Sequence, residues 1–282
     1  MDTRKLDKDS VLALLPDRDP WGHKGTFGKI LLLCGSRGYT GAAYLAAMGA
    51  LRTGAGLAFL GVPESIYDIE AIKLNEPVVF PLPDDHGKLS IFAVSEIEKR
   101  LPQMDAVLIG CGLGQSAGTL AVVKAVLEQA KCPVVVDADG INLLAQHKDI
   151  LRGRAFSTIL TPHEGEFLRF GGTLGEDRMA SAAYFSREWN SILLLKGHRT
   201  CITDGEQGYL NETGNPGMAV GGSGDVLAGM IVSLLGQGLQ PLEAAACAAW
   251  LHGAAGDLCA EEIGQYGMLP TDMLSRIPRL MK

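Results

Sequence analysis

The chain has 282 residues, 47% of them hydrophobic and 20% charged, with a formal net charge of −7. That is enough apolar material for a substantial core, and the acidic balance excludes non-specific nucleic-acid binding, which needs a cationic face to displace counterions. An anionic ligand stays possible, because a few amides and cations make a local positive pocket on an acidic protein.

The N-terminal stretch MDTRKLDKDS alternates charges and lacks the apolar core of a secretory signal. No run approaches the roughly 20 apolar residues that span a bilayer. The expectation is a cytoplasmic protein with neither membrane nor nucleic acid as partner. The cysteines at 34, 111, 132, 201, 247 and 259 show no CxxC spacing and read as small core residues in a reducing compartment.

His23-Lys24-Gly25-Thr26-Phe27-Gly28-Lys29 leads into the first apolar run, 29–34, and the glycine-rich stretch Gly35-Ser36-Arg37-Gly38-Tyr39-Thr40-Gly41-Ala42-Ala43 leaves it. Helical spacing follows over 42–52, then an apolar run at 57–62. The Pro/Asp patch 81–87 is too short for a linker and reads as a loop. The run 105–110 ends in Gly110-Cys111-Gly112-Leu113-Gly114, before helical spacing over 117–131. Neither glycine stretch is a GxGxxG or Walker fingerprint, so each alone is a weak signal.

The run 133–137 delivers Asp137-Ala138-Asp139-Gly140-Ile141-Asn142, acidic groups that could hold water around Mg²⁺ or simply form an Asx-type turn. After 158–161 comes Thr161-Pro162-His163-Glu164-Gly165-Glu166, which is also a good capped helix start. Helical spacing over 177–189 and a run at 192–196 lead to Lys196-Gly197-His198-Arg199-Thr200. A lysine at a strand end reaches phosphate, although hairpin turns are often written this way. Short runs near 200–203 and 208–211 are followed by two small-residue-rich helices, 223–236 and 241–260.

Apolar runs alternating with helices imply parallel βαβ units, with strands covered on both faces. No repeat or linker interrupts them, so 1–282 is expected to be a single α/β domain. In such sheets ligands gather at the carboxyl ends of the strands, where each cluster named above falls.

The strongest cluster is Asn215-Pro216-Gly217-Met218-Ala219-Val220-Gly221-Gly222-Ser223-Gly224-Asp225, running straight into the helix 223–236. Glycines let a ligand approach the backbone closely, and the helix N-terminus offers amides and partial positive charge to phosphate. Asp225 would then serve as acid/base toward an attacking hydroxyl. The alternative is an ordinary N-cap after a tight turn. His252, isolated in a small-residue helix, reads as packed or surface rather than as a ligand.

GSGD opening a C-terminal helix downstream of TPHEGE resembles the ribokinase-like superfamily. The closest resemblance within it is to the ADP/ATP-dependent NAD(P)H-hydrate dehydratases. It is carried by HKGTFGK (23–29), GSRGYTGAAYLAAMGALRTGAGL (35–57), GCGLG (110–114), VVDADGINLLA (135–145), TPHEGEF (161–167), LLLKG (193–197) and NPGMAVGGSGDVLAGMIVSLLGQG (215–238). The resemblance implies a ribokinase-like three-layer α/β/α fold with a central, mostly parallel sheet. It also implies a nucleotide-dependent lyase that repairs hydrated NADH or NADPH (NADHX, NADPHX), converting ADP to AMP and phosphate.

By the same resemblance, Asp225 is the base and the amides of Gly222, Ser223 and Gly224 form an anion hole. The hydrated dinucleotide contacts Ala42, Gly114, His163 and Asp225. ADP or AMP contacts Lys196, Gly197, His198, Arg199, Thr200 and Gly224. Glu166 matches the acidic end of the superfamily's NxxE motif and belongs to the Mg²⁺ network indirectly, with His163 standing where sugar kinases carry Asn. Relatives often carry an N-terminal epimerase domain, for which there is no room before His23, and they assemble as tetramers. The other readings are a ribokinase-like kinase of a vitamin precursor or alcohol, which GSGD alone does not separate, and a sensor or scaffold that has lost turnover.

Overall fold

The computed structural model of the chain describes residues 2–282. Its strands are β1 (Asp2–Lys5), β2 (Lys29–Leu33), β3 (Leu57–Pro63), β4 (Val78–Leu82), β5 (Asp84–Asp85), β6 (Lys88–Leu89), β7 (Ala106–Ile109), β8 (Val134–Val136), β9 (Thr158–Leu160), β10 (Ile192–Leu195), β11 (Thr200–Thr203) and β12 (Gln207–Asn211). The helices before β7 are α1 (Lys8–Leu14), α2 (Thr40–Arg52), α3 (Tyr67–Lys73) and α4 (Ala93–Glu98). From β7 to β10 come α5 (Ala117–Gln129), α6 (Asp139–Leu144), α7 (Asp149–Arg152), α8 (Glu164–Arg169) and α9 (Arg178–Trp189). The C-terminal set is α10 (Ser223–Gly236), α11 (Pro241–Ile263), α12 (Pro270–Leu274) and α13 (Ile277–Leu280).

Ten strands form one sheet in the order β1-β12-β11-β10-β9-β8-β7-β2-β3-β4, parallel except for β11. Of its interior strands, β7, β8 and β10 are continuous apolar runs because both faces are covered. Ile30, Leu32, Leu108 and Leu194 face a core shared with α2, α10 and α11, whereas Leu31, Leu33, Ile109 and Leu195 face one shared with α5, α8 and α9. This is the expected ribokinase-like α/β/α sandwich. All six cysteines are buried and unpaired.

The 81–87 patch is not simply a loop: Pro81 and Leu82 end β4, and 84–85 pair with 88–89 in a small hairpin. Pro81 is tolerated because β4 is an edge strand, where a missing N–H need not break a ladder.

Two features of this topology position the site. The chain runs from β2 outward to β3 and β4, then returns to β7 on the other side of β2 and continues to β10. Strand order therefore reverses between β2 and β7, and the crevice outside their carboxyl ends is the switch point where ligands bind in open α/β sheets. Second, α2 and α10 cross at backbone distance. A Cβ on Gly229 would lie 2.1 Å from the Ala46 carbonyl, and one on Gly49 would lie 2.6 Å from the Val226 carbonyl. Only glycine permits that approach, which brings the start of α10 against α2.

Candidate active site

Helix α10 is capped by Gly222, not by Asp225. Gly222 is the N-cap at φ 98°, with no side-chain cap, and a Cβ there would also meet Leu45 of α2 at 2.4 Å. Asp225 is the third residue of the helix, so the ordinary N-cap alternative does not hold. The Ser223 N–H turns back to the Val220 carbonyl at 3.3 Å. With no side-chain cap, the amides of Gly224 and Asp225 have no side-chain acceptor in this first turn.

Around Asp225 stand groups from four strand ends. Asp137, after β8, is buried and accepts from Thr161 Oγ1 at 2.7 Å and from Lys196 Nζ at 2.9 Å. Cys111, after β7, donates its thiol to Asp137 Oδ2 at 3.5 Å. One ligand atom each from Cys111, Asp137 and Asp225 lies within 4.8 Å of the other two. A Cβ on Gly224 would sit 3.2 Å from Lys196 Nζ and 4.0 Å from Asp137 Oδ2, so the glycine turn faces this ion pair directly.

Burial, and then the charge of Asp137, push the Asp225 carboxyl up to about 7, against the opposing pull of the Cys111 thiol and Lys196. A carboxylate at that value is poised as a general base near neutral pH. Burial works against the Lys196 charge, but Asp137 and Glu166 outweigh it and hold Lys196 as an ammonium.

Next to this cluster opens a cavity of about 670 Å³. It is lined by His163, by Lys196, Gly197, His198, Arg199 and Thr200, by Ser223 and Gly224, and by a segment reaching from Asn211 to Val220. The expected nucleotide-side residues are thus in one place. Its far wall is α11, through Ala249, His252 and Gly253. The sequence offers His252 only as a packed or surface residue of its helix. It is buried, its Nε2 lies 3.4 Å from Ser223 Oγ, and burial drives its pKa down to about 4, so it is a neutral ring. A single histidine among alanines gives no spacing signal, so the sequence could not place it. The 211–214 turn was likewise unmarked.

His163 is the N-cap of α8. Its Nδ1 accepts from the amides of Gly165 at 3.0 Å and Glu166 at 3.3 Å, and its own N–H donates to Glu166 Oε2 at 3.0 Å. TPHEGE is therefore a capping box whose cap residue also borders the cavity. Ala42 and Gly114 lie on the opposite flank, at the switch point. A Cβ on Gly112 would meet the Ala42 Cβ at 2.7 Å, and the Gly114 N–H donates to Asp139 Oδ2 at 2.9 Å. Neither Ala42 nor Gly114 lines the cavity. Of the expected residues, His163, Lys196, Gly197, His198, Arg199, Thr200 and Gly224 border the cavity, whereas Ala42 and Gly114 stand apart from it at the switch point.

The donor set also bears on magnesium. Among the described residues the one three-donor group is Cys111, Asp137 and Asp225. A thiol is a poor ligand for a hard cation, and Lys196 already occupies Asp137. Glu166 spends its carboxylate on the helix start. The residues do not build an all-protein cage, but they fit an ion carried by substrate phosphates and water, as Mg²⁺ usually is.

The family profile described as NAD(P)H-hydrate dehydratase matches residues 30–279. A bifunctional NAD(P)H-hydrate repair enzyme of Moorella thermoacetica is 46% identical over 275 residues, 95% of this chain and 52% of that protein. The chain thus spans about half the length of the curated relatives it matches. Among solved structures, the ADP/ATP-dependent NAD(P)H-hydrate dehydratase from Bacillus subtilis, co-crystallised with ATP and Mg²⁺, is 33% identical with a TM-score of 0.84. That match covers 97% of this chain and 96% of that one. A ribokinase-like superfamily protein from Enterococcus faecalis is 29% identical with a TM-score of 0.86, over 99% and 95% of the two chains.

Proposed function

The chain belongs to the NAD(P)H-hydrate dehydratase family, and from that premise we propose that it dehydrates the S epimer of hydrated NADH or NADPH with ADP as phosphoryl donor, releasing AMP and phosphate. The observation that carries the reading is Asp225, grouped with Cys111 and Asp137 at the strand ends, directly after the cavity-lining Gly224 and raised to about 7.

Asp225 takes the proton from the hydroxyl on the hydrated ring. The hydroxyl oxygen bonds to the terminal phosphorus of ADP as the bond from that phosphorus to the bridging oxygen breaks, and AMP leaves. The ring C–O bond then breaks as phosphate departs, and the adjacent carbon gives its proton to the departing phosphate as the double bond forms. The net change is removal of water from the cofactor and its addition across ADP. The Gly224 and Asp225 amides and the Lys196 ammonium meet the charge on the transferring group, as positioned donors do in phosphoryl transfer. Mg²⁺, when bound, neutralises phosphate charge, with Glu166 contributing only through water. ADP lies along Lys196–Thr200 and Gly224, the dinucleotide along Ala42, Gly114 and His163. The protein works in the cytoplasm as a homotetramer.

The test is nucleotide turnover with and without the hydrated cofactor, with ADP and ATP in parallel. Phosphate release that requires hydrated NADH or NADPH supports the proposal. Turnover of a sugar or vitamin alcohol instead would make this a kinase, and binding without turnover a sensor.

A further inference from the structure

The dinucleotide of the proposed reaction carries phosphates, and the cavity beside Lys196 is claimed by the second nucleotide. The phosphate-binding groups for the dinucleotide must then come from the switch-point side, on a protein whose net charge of −7 repels anions overall.

Three segments are tied together there. The 34–39 loop after β2 docks on the 110–115 loop after β7 through Gly35 N to the Cys111 carbonyl at 2.8 Å, and through Ser36 Oγ to the Gly112 carbonyl at 2.8 Å. The β5–β6 hairpin closes the third side, with the Arg37 N–H on the Gly87 carbonyl at 2.8 Å. A Cβ on Gly87 would lie 2.4 Å from the Arg37 Cβ, and one on Gly114 3.0 Å from the Lys88 stem. Each glycine thus seats the stem of a cation.

These two cations are not neutralised locally. Among the described residues neither Arg37 nor Lys88 makes an ion pair. Arg37 is exposed. Lys88 gives one N–H to the Gln115 carbonyl at 3.0 Å and keeps two more donors. The adjacent carboxylates have other work. Asp139 accepts from Gly114 N and Gln115 Nε2, Asp84 from Ser65 Oγ and Gly87 N, and Asp85 sits against His86.

The reach fits. Cys111 touches the carboxylate pair at the reacting end, and the four residues from there to Gln115 extend no further than about 14 Å. A dinucleotide with its nicotinamide ring at Asp225 spans that distance with its diphosphate.

We propose that Arg37 and Lys88 hold the phosphates of the hydrated dinucleotide in the crevice between the 34–39 and 110–115 loops. A guanidinium suits bidentate phosphate contact and an ammonium suits a point contact. The inference rests on the function proposed above, and its test is built to fail separately.

Arg37→Met and Lys88→Met keep the stems over Gly87 and Gly114 and remove only charge. Steady-state kinetics with hydrated NADH and hydrated NADPH at saturating ADP should show the dinucleotide KM rising about tenfold for each variant, with kcat and the KM for ADP within about twofold. Arg37→Lys should recover most of the loss. An equal rise for both substrates assigns the diphosphate, and a rise confined to hydrated NADPH assigns its 2′-phosphate. Unchanged KM for both, or a fall in kcat at constant KM, overturns the proposal. Should the wild type not turn over either substrate, the function proposal fails, and calorimetric titration with NADPH decides this one. Binding weakened about tenfold in the variants supports it, and equal binding refutes it.

Discussion

Replacing Asp225 by asparagine should make the protein more stable and catalytically inert, and the size of the first effect follows from its surroundings. The folded-state pKa is about 7 against an ordinary 3.8, with burial the main cause and Asp137 the second. Between those values the native state binds more protons than the unfolded one, so stability is fully present below about 3.8 and is lost as pH rises through 7. The full shift of about 3 units corresponds to at most about 4 kcal/mol. The linkage integral puts about 2–3 kcal/mol of it between pH 5 and pH 8. Asparagine does not titrate and escapes this loss. Urea unfolding at the two pH values should therefore show the variant's advantage widening by about 2–3 kcal/mol toward pH 8, or about 5 °C in Tm. Nucleotide binding should survive, while turnover falls by about 10²–10⁴. A stability gap that is the same at both pH values, or near-normal turnover, would falsify the assignment of Asp225 as a buried base of raised pKa.

Lys196→Met strands the buried Asp137 carboxylate, so the unfolding free energy from urea titration should drop by about 3 kcal/mol and the KM for ADP should rise; an unchanged unfolding free energy would show that the pair is not structural. Gly229→Ala drives a methyl into the Ala46 carbonyl, a backbone atom that cannot swing aside. A loss of about 1–3 kcal/mol with a matching fall in kcat is expected, because the start of α10 moves with it. His163→Ala should lose about 1 kcal/mol of capping. His163→Asn restores the cap, so any residual defect in KM then belongs to ligand contact and not to folding. In the wild type, the rate should decline tenfold per unit below pH 7 as Asp225 protonates, readable in the acidic limb of kcat/KM.

The sheet was legible where its strands are buried on both faces. Residues 30–33 and Ile192–Leu195 are unbroken apolar runs, and the start of α10 was marked by its glycines. The edges were not legible. The β1 sequence DTRK is nearly all charged, and β4 carries Pro81. Each has one neighbour, so β1 needs no apolar signature and the apolar run of β4 can carry a strand-breaking proline. The GSGD loop, KGHRT and TPHEGE were visible because each sits in a short contiguous stretch. The Asp137–Lys196 pair was not, since its members are 59 residues apart and only the parallel sheet brings their strand ends together. Asp137 read alone was equally a turn residue. His252 acquires its place only from the packing of α11 against Ser223. Arg37 and Lys88 are ordinary surface cations until the β2/β7 switch point is known.

The central claim is that Asp225 joins two ligands, so that phosphoryl transfer serves to expel water from the hydrated ring. The most direct measurement follows NADH recovered and phosphate released in one reaction of the wild-type protein with hydrated NADH and ADP. One phosphate per NADH, with no phosphate released when either substrate is omitted, is the predicted result. Phosphate released without NADH, or NADH recovered at the uncatalysed rate while ADP stays intact, would contradict it.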